Sequence, residues 1–233
     1  MTGTDTGVGK TTVACGIAAA FRRRGWTVGA FKPVETGCHR QPDAGPLPED
    51  AARLKYFAGC STDLRTICPY ALGEPVAPLV AARQEGISID IEVLVRCHGA
   101  IAAAHDVTLI EGAGGLLVPL APGLVFADLV ARLDVPLLVV VGSRLGAINH
   151  ALLTIRYAHS VGLRVLGYVL NFLSPDADLA ARTNLAVLTE FVGPALGVVP
   201  YLAEVGMTED NRQRLADLFA AQVRLEALLV PPR

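Results

Sequence analysis

The chain has 233 residues, 52% of them hydrophobic and 18% charged, with a formal net charge of −2. This composition supplies a sizeable core and excludes a disordered chain, and the near-neutral balance lacks the basic footprint of a nucleic-acid or anionic-membrane binder. The five cysteines (Cys15, Cys38, Cys60, Cys68, Cys97) form no CxxC pair, so reduced thiols in a cytoplasmic protein are expected rather than a disulfide or zinc scaffold.

In chain order, Gly3-Thr4-Asp5-Thr6-Gly7-Val8-Gly9-Lys10-Thr11-Thr12 comes first. A glycine-rich turn running into a helix aims backbone N–H groups at polyphosphate, with Lys10 placed for the β- and γ-phosphates and the Thr11 hydroxyl for Mg²⁺. The general pattern has four residues between the first glycine and Gly-Lys-Thr; here five separate Gly3 from Gly9. The plainer reading is a glycine turn with a solvated Lys10. The apolar spacing predicts a helix over Lys10–Arg24, closed by Gly25, and Arg22-Arg23-Arg24 complements the dipole at its end. A strand follows over Trp26–Phe31, then a polar, Gly/Pro-rich loop over Glu35–Pro48 and a helix over Glu49–Ala58. Thr66–Leu72 and the sequel through Pro78 read as irregular or short extended segments. A helix over Ile91–Ala104 precedes a strand over Val107–Ile110. Helices over Phe126–Leu133, Ile148–Ser160 and Leu179–Val192 alternate with strands over Pro136–Val141, Arg164–Leu170 and Leu196–Val199, and Thr208–Leu229 is mostly helical. Pro136–Gly142 is strand-sized, and no run reaches membrane-spanning length.

Alternating strands and helices imply an α/β fold with a mostly parallel sheet covered by helices on both faces, P-loop NTPase-like, as one domain over residues 1–233. Such a phosphate loop normally follows a central strand, yet only Met1-Thr2 precede Gly3. A short apolar strand upstream of Met1 is therefore expected, the other possibility being a fold that dispenses with it.

Ligands collect at the carboxyl ends of strands in open α/β sheets, which directs attention to three clusters. Lys32-Pro33-Val34-Glu35-Thr36-Gly37 puts an ammonium where it would offset charge on a transferring phosphoryl group or an anionic substrate, or else a solvated lysine in a turn. Neither Lys10 nor Lys32 is expected in the core. Glu111-Gly112-Ala113-Gly114-Gly115 ends a strand with a carboxylate suited to Mg²⁺ and glycines that admit a ligand close to the backbone; the alternative is a carboxylate capping a turn. Asp50 is either a second oxygen ligand or a helix-start carboxylate. Val141-Gly142-Ser143-Arg144-Leu145-Gly146-Ala147-Ile148-Asn149-His150 runs from strand to helix, with N–H groups able to hold an anion. Asn171 either reads an adenine edge or stabilises a turn.

Assembled in order, these stretches, together with Pro200-Tyr201-Leu202, resemble the dethiobiotin synthetase family over roughly residues 3–202, and the five-residue spacing of the phosphate loop is the family's own. The resemblance implies an enzyme that uses ATP and CO₂ to close a cyclic urea across the two amines of diaminopelargonic acid, through a carbamate and a carbamic-phosphoric anhydride. It implies Lys32 and Lys10 as catalytic residues and Gly7, Val8, Gly9, Lys10, Thr11 and Thr12 around the phosphates. Thr11, Asp50 and Glu111 are implied as Mg²⁺ ligands. Glu111, Gly112, Ala113 and Gly114 would line the nucleotide, with Asn171, Pro200, Tyr201 and Leu202 around the base. Thr6 and Thr36 are implied at the substrate, as are Gly146 and Asn149 reaching it from the partner of a homodimer. The sequence departs from some members at Gly7, where they have an acidic residue, and at Arg144, where they have lysine. Two other readings of the phosphate loop are a cobyrinic acid amidase-type synthetase and a ParA- or MinD-like switch ATPase. The first usually carries a glutaminase domain, for which little chain remains after Leu202; the second carries a lysine early in the loop, and none precedes Lys10.

Overall fold

The structure is a computed structural model that describes residues 1–41, 45–203 and 205–229. Its elements are β1 (Thr2–Gly3), α1 (Lys10–Arg23), β2 (Val28–Phe31), β3 (Val34–Thr36), β4 (His39–Gln41), β5 (Gly45–Leu47), α2 (Glu49–Ala58), α3 (Leu64–Ile67), β6 (Tyr70–Leu72), α4 (Pro78–Gln84), α5 (Ile91–Ala103) and β7 (Val107–Ile110). They continue with β8 (Pro119–Ala121), β9 (Leu124–Val125), α6 (Phe126–Leu133), β10 (Leu137–Ser143), α7 (Ala147–Ser160), β11 (Val165–Phe172), α8 (Leu179–Val192), β12 (Gly197–Val199) and α9 (Glu209–Gln222), followed by a 3₁₀ turn over Leu225–Leu228.

β1, β10, β11 and β12 form a parallel sheet in that order, and β2 pairs in parallel with β7. The first residues of the chain join the two sets. The Met1 amine donates to the Ile110 carbonyl, Gly112 N–H to the Met1 carbonyl and Gly3 N–H to the Gly114 carbonyl, while Thr2 and Gly3 pair with Val139 and Val140. β1 therefore sits between β7 and β10 with only two residues, and the phosphate loop springs from its end.

β10 shows why the sheet is covered on both sides. All seven of its residues are buried, and their alternation sends Leu138 and Val140 to one core and Leu137, Val139 and Val141 to the other. On the first face lies α1, whose buried run Val13–Phe21 is wrapped by α2 and α9. Small residues make that approach possible: a Cβ on Gly16 would lie 2.1 Å from the Phe219 ring. On the other face α7 and α8 pack against β10 and β11, and α4, α5 and α6 cover Phe31 and Val34 in a third cluster. Among the described residues no helix is long and apolar enough to cross a membrane.

Glu49–Ala58, Val107–Ile110, Phe126–Leu133 and Leu179–Val192 match their sequence expectations at both ends, and most other ends move by one or two residues. Four segments differ. The expected loop over Glu35–Pro48 contains the end of β3, which pairs in parallel with β6, and the antiparallel pair β4–β5; residues 42–44 of that loop lie outside the described set. The segment read as irregular or short extended does contain the short strand β6, but also the end of α3 and the start of α4, whose Pro78 occupies a first-turn position where a missing N–H costs nothing. A small antiparallel pair, β8–β9, follows the Glu111 glycines. β11 runs two residues further than expected, so Asn171 lies within the strand, paired with Val199, rather than in a turn after it.

Candidate active site

The phosphate loop is shaped by Gly7 and Gly9, both in the left-handed region (φ 72° and 86°), which a Cβ would disfavour. Gly9 is the N-cap of α1 and has a second constraint: a Cβ there would lie 2.2 Å from Asn171 Nδ2. Asn171 uses that nitrogen to donate to the Val8 carbonyl at 3.0 Å, so it ties the loop to the end of β11. On the outer side Asp5 accepts from Thr6 N–H and pairs with Arg144 at the end of β10. Lys10 curls back, its Nζ donating to the Asp5 carbonyl at 3.2 Å.

Two strand ends and two helix starts bring the remaining groups together. Glu111 follows β7, is 1% exposed, and accepts through Oε1 from the Thr11 hydroxyl and from Lys32 Nζ, each at 2.7 Å. Lys32 follows β2, is 3% exposed, and also donates to Asp50 Oδ2 at 3.0 Å. Asp50 stands in the first turn of α2. One ammonium is thus clamped between two carboxylates beside the first helical turn after the phosphate loop. The expectation that both lysines lie outside the core is corrected: each is buried, Lys10 at 8% exposure. Charged groups are tolerated there because they compensate one another.

The electrostatics follow from that pairing. Burial would lower the Lys32 pKa, but the charges of Glu111 and Asp50, with the hydrogen bond to Glu111, outweigh it and hold the ammonium protonated. Burial likewise opposes ionisation of Asp50, and is overcome by the Lys32 charge and by hydrogen bonds from Lys32 and Thr11. Lys10 goes the other way: burial lowers its pKa, with Lys32 adding to the effect and Glu111 opposing it. Glu35, on β3, is pushed up to about 7 by burial, against the Lys32 charge and backbone N–H bonds from Asp50 and Ala51.

These groups line an open cleft of about 610 Å³, within the range of small-ligand sites. Of the residues singled out from sequence, Thr6, Gly7, Gly9, Lys10, Thr11, Thr12, Lys32, Thr36, Asp50, Glu111, Ala113 and Gly114 line it. Val8 is buried beneath the loop, and Gly112 packs beside Met1. Pro200 and Leu202 line one shallow groove and Pro200 and Tyr201 another, both beyond the end of β12. Gly146, the N-cap of α7, and Asn149 are exposed and are not among the residues that line the cleft. The cleft has a wall that sequence reasoning missed, Pro75-Val76-Ala77-Pro78 together with Val118 and Glu35. Pro78, as a helix-start proline, was the available signal for α4 and hence for that wall.

The donor set suits a magnesium ion. Glu111 Oε2 is buried with no hydrogen-bond partner, an acceptor of the kind normally satisfied in a finished site. Thr11 and Asp50 bring further oxygens to the same place, and Mg²⁺ prefers one or two carboxylates with water and phosphate completing its shell. Among the described residues no group of three or more His, Cys, Asp or Glu side chains is arranged to hold a metal.

A phosphate loop leaving a central parallel strand, with one carboxylate at a neighbouring strand end and another at a helix start, defines a P-loop nucleotide-binding protein, and the AAA domain family matches residues 1–209. The MinC:MinD cell division protein complex of Aquifex aeolicus superposes with a TM-score of 0.55 over 100% of this chain and 96% of that one, at 15% identity, a likeness of fold alone. Closer relatives are sequences: the ATP-dependent dethiobiotin synthetase BioD of Thermodesulfovibrio yellowstonii is 38% identical over 98% of this chain and 97% of its own, and that of Bacillus licheniformis is 39% identical over 90% and 88%. The chain belongs to the ATP-dependent dethiobiotin synthetase family.

Proposed function

We propose that this chain closes the cyclic urea of dethiobiotin from diaminopelargonic acid and CO₂ at the expense of ATP, releasing ADP and phosphate. The observation that carries the reading is the Lys32 ammonium, held between Asp50 and Glu111 at the mouth of the phosphate loop, in a chain whose full-length relatives bear that name. One amine takes up CO₂ as a carbamate with loss of a proton, and a carbamate oxygen displaces ADP from the γ-phosphorus. The second amine then attacks the carbonyl carbon, expelling phosphate and closing the ring. The first displacement brings two anions together, so cations and positioning supply the catalysis. Supplying ATP, bicarbonate and diaminopelargonic acid and looking for dethiobiotin by mass spectrometry tests the activity; its absence from a folded, ATP-binding protein would overturn it.

In this reading the N–H groups of Gly7 to Thr12 cradle the phosphates and Lys10 leaves the Asp5 carbonyl for the γ-phosphate. Lys32 faces the carbamate and the transferring phosphoryl group, and Thr6 and Thr36 contact the substrate. Glu111, Gly112, Ala113 and Gly114 flank the nucleotide. Asn171 Oδ1 is the acceptor that remains for an adenine amino group, with Pro200, Tyr201 and Leu202 beside the base. Thr11, Asp50 and Glu111 hold Mg²⁺, which when bound neutralises phosphate charge and orients the γ-phosphate. A chelator should abolish turnover and added Mg²⁺ restore it, and Asp50→Asn should raise the Mg²⁺ concentration for half activity. An unchanged Mg²⁺ dependence would make Asp50 a helix-start carboxylate only.

The protein acts as a cytoplasmic homodimer in this reading, with the N–H groups at Gly146 and the Asn149 side chain binding the substrate carboxylate across the interface. Their exposure on α7, beside the 84%-exposed Leu145 and 61%-exposed Leu153, supports it. Mixing Asn149→Ala and Lys32→Ala homodimers under conditions of subunit exchange should recover activity, because one hybrid site then carries neither defect. No recovery despite demonstrated hybrids would remove Asn149 from the partner's site.

A further inference from the structure

Some helices in this fold are capped by the side chain of their own N-cap residue: Asp90, Asp178 and Thr208 each accept a backbone N–H in the first turn of α5, α8 and α9, whereas α1, α4 and α7 have no side-chain cap. α2 is different. Its N-cap is Pro48, which makes no side-chain bond, and the orphan N–H groups of the first turn are met by a carboxylate from another element. Glu35 on β3 is 7% exposed, and its Oε1 accepts from Asp50 N–H at 2.9 Å while its Oε2 accepts from Ala51 N–H at 3.0 Å. A carboxylate at a helix N-terminus has the favourable sign for the dipole. Spending both oxygens on consecutive amides also fixes the direction of the first turn.

The residue so held is the one that faces Lys32. Asp50 Oδ2 lies 3.0 Å from Lys32 Nζ, which bridges to Glu111 Oε1 at 2.7 Å. Glu35 itself is three residues after Lys32 and one before Thr36. Its two bonds tie the strand bearing Thr36 to the helix turn bearing Asp50. We propose that Glu35 is a positioning residue for the metal: by capping α2 through both carboxylate oxygens, it sets the distance between Asp50 and Glu111 at which Mg²⁺ is taken up. The proposal rests on the reading of Asp50 and Glu111 as metal ligands. Groups behind a metal ligand of this sort typically carry 10–100-fold of metal affinity or activity.

Glu35→Gln is the discriminating variant, because it keeps size and shape while turning one acceptor into a donor that faces a backbone N–H. It should weaken Mn²⁺ binding in the presence of ADP, read by electron paramagnetic resonance, by about 10-fold or more. The Mg²⁺ concentration for half activity should rise by a similar factor, and amide exchange at Asp50 and Ala51 should quicken. Glu35→Asp, which keeps the charge at shorter reach, should shift the same readouts less. Pro48→Ser in the Glu35→Gln background supplies a local cap and should recover metal affinity together with amide protection. Faster exchange at Asp50 and Ala51 with unchanged Mn²⁺ affinity would overturn the proposal, reducing Glu35 to a helix cap, as would a Pro48→Ser variant that restores protection without affinity. Asp50→Asn, measured alongside, separates the two levels: if it too leaves Mn²⁺ affinity unchanged, the metal reading of Asp50 fails rather than the capping argument alone.

Discussion

Lys32→Ala is expected to lower turnover by about 10²-fold or more, the loss typical of one preorganised electrostatic group, and Lys10→Ala by a similar factor. The two should differ in stability. Lys10 Nζ makes one bond, to the Asp5 carbonyl, and its removal leaves a neutral acceptor. Lys32 is the cation between Asp50 and the 1%-exposed Glu111, whose second oxygen is already without a partner. Deleting one member of a buried pair strands the other charge, at about 3–5 kcal/mol when both are fully enclosed. The Asp50 side chain is 42% exposed, so water screens its share and the Glu111 side dominates. A fall in Tm is therefore expected for Lys32→Ala, largely reversed by Mg²⁺ with ADP, which replaces the lost cation. Turnover should not return, because the metal does not restore the ammonium that the proposed mechanism sets against the carbamate. Normal turnover in Lys32→Ala would remove Lys32 from the chemistry, and a Tm that Mg²⁺ with ADP leaves low would separate the metal from the Asp50–Glu111 pair.

Much of this site was legible in the order of residues, for a physical reason. Strand-to-loop transitions mark the carboxyl edge of a parallel sheet, and that edge is where Lys32 and Glu111 stand, after β2 and β7. For Asp50 the local sequence left a helix-start carboxylate and an oxygen ligand both open, and only the family resemblance directed it to the site, where it stands in the first turn of α2 beside Lys32. The burial of the two lysines was not legible, since it is set by tertiary packing; for Lys32 it depends on the carboxylates the topology delivers from 79 residues along the chain for Glu111 and 18 for Asp50. Glu35 was visible within Lys32–Gly37 but had no assignable partner, because its bonds cross to a helix 15 and 16 residues away. The wall at Pro75–Pro78 was hidden by short elements: α3, α4 and β6 hold four, seven and three residues, too few for periodicity to register. Asn171 is a different case. Its local sequence left an adenine reader and a turn residue both open; it is a strand residue whose amide holds the phosphate loop, so the turn reading falls.

Extending β1 on its N-terminal side by four apolar, β-branched residues should raise Tm and tighten ATP binding together. Between β7 and β10 lies an apolar slot of about 150 Å³, lined by Met1, Leu109, Ile110, Phe126, Leu137 and Leu138 among others. β1 pairs with β10 only at Val139 and Val140, which leaves the strand edge at Leu137 and Leu138 for further pairing. Each buried backbone group newly bonded spares about 1–3 kcal/mol, and for a chain of this size each kcal/mol is worth about 2–4 °C in Tm. The Met1 amine gives the test a second readout. Burial, only partly offset by Glu111, lowers its pKa from 8.0 to about 6. Between those values the unfolded chain binds more protons than the folded one, so stability rises with pH across that window and is lost as pH falls towards 6. An added peptide bond abolishes that titration, so the extended chain should show a flatter stability profile between pH 6 and 8. ATP affinity should follow because Gly3, bonded to Gly114 and paired with Val140, anchors the phosphate loop at its first glycine. An extended chain with unchanged Tm and the same pH slope would mean that the added residues lie outside the slot. One that gains stability but not ATP affinity would mean that the Gly114 and Val140 contacts already hold the loop as firmly as a longer strand can.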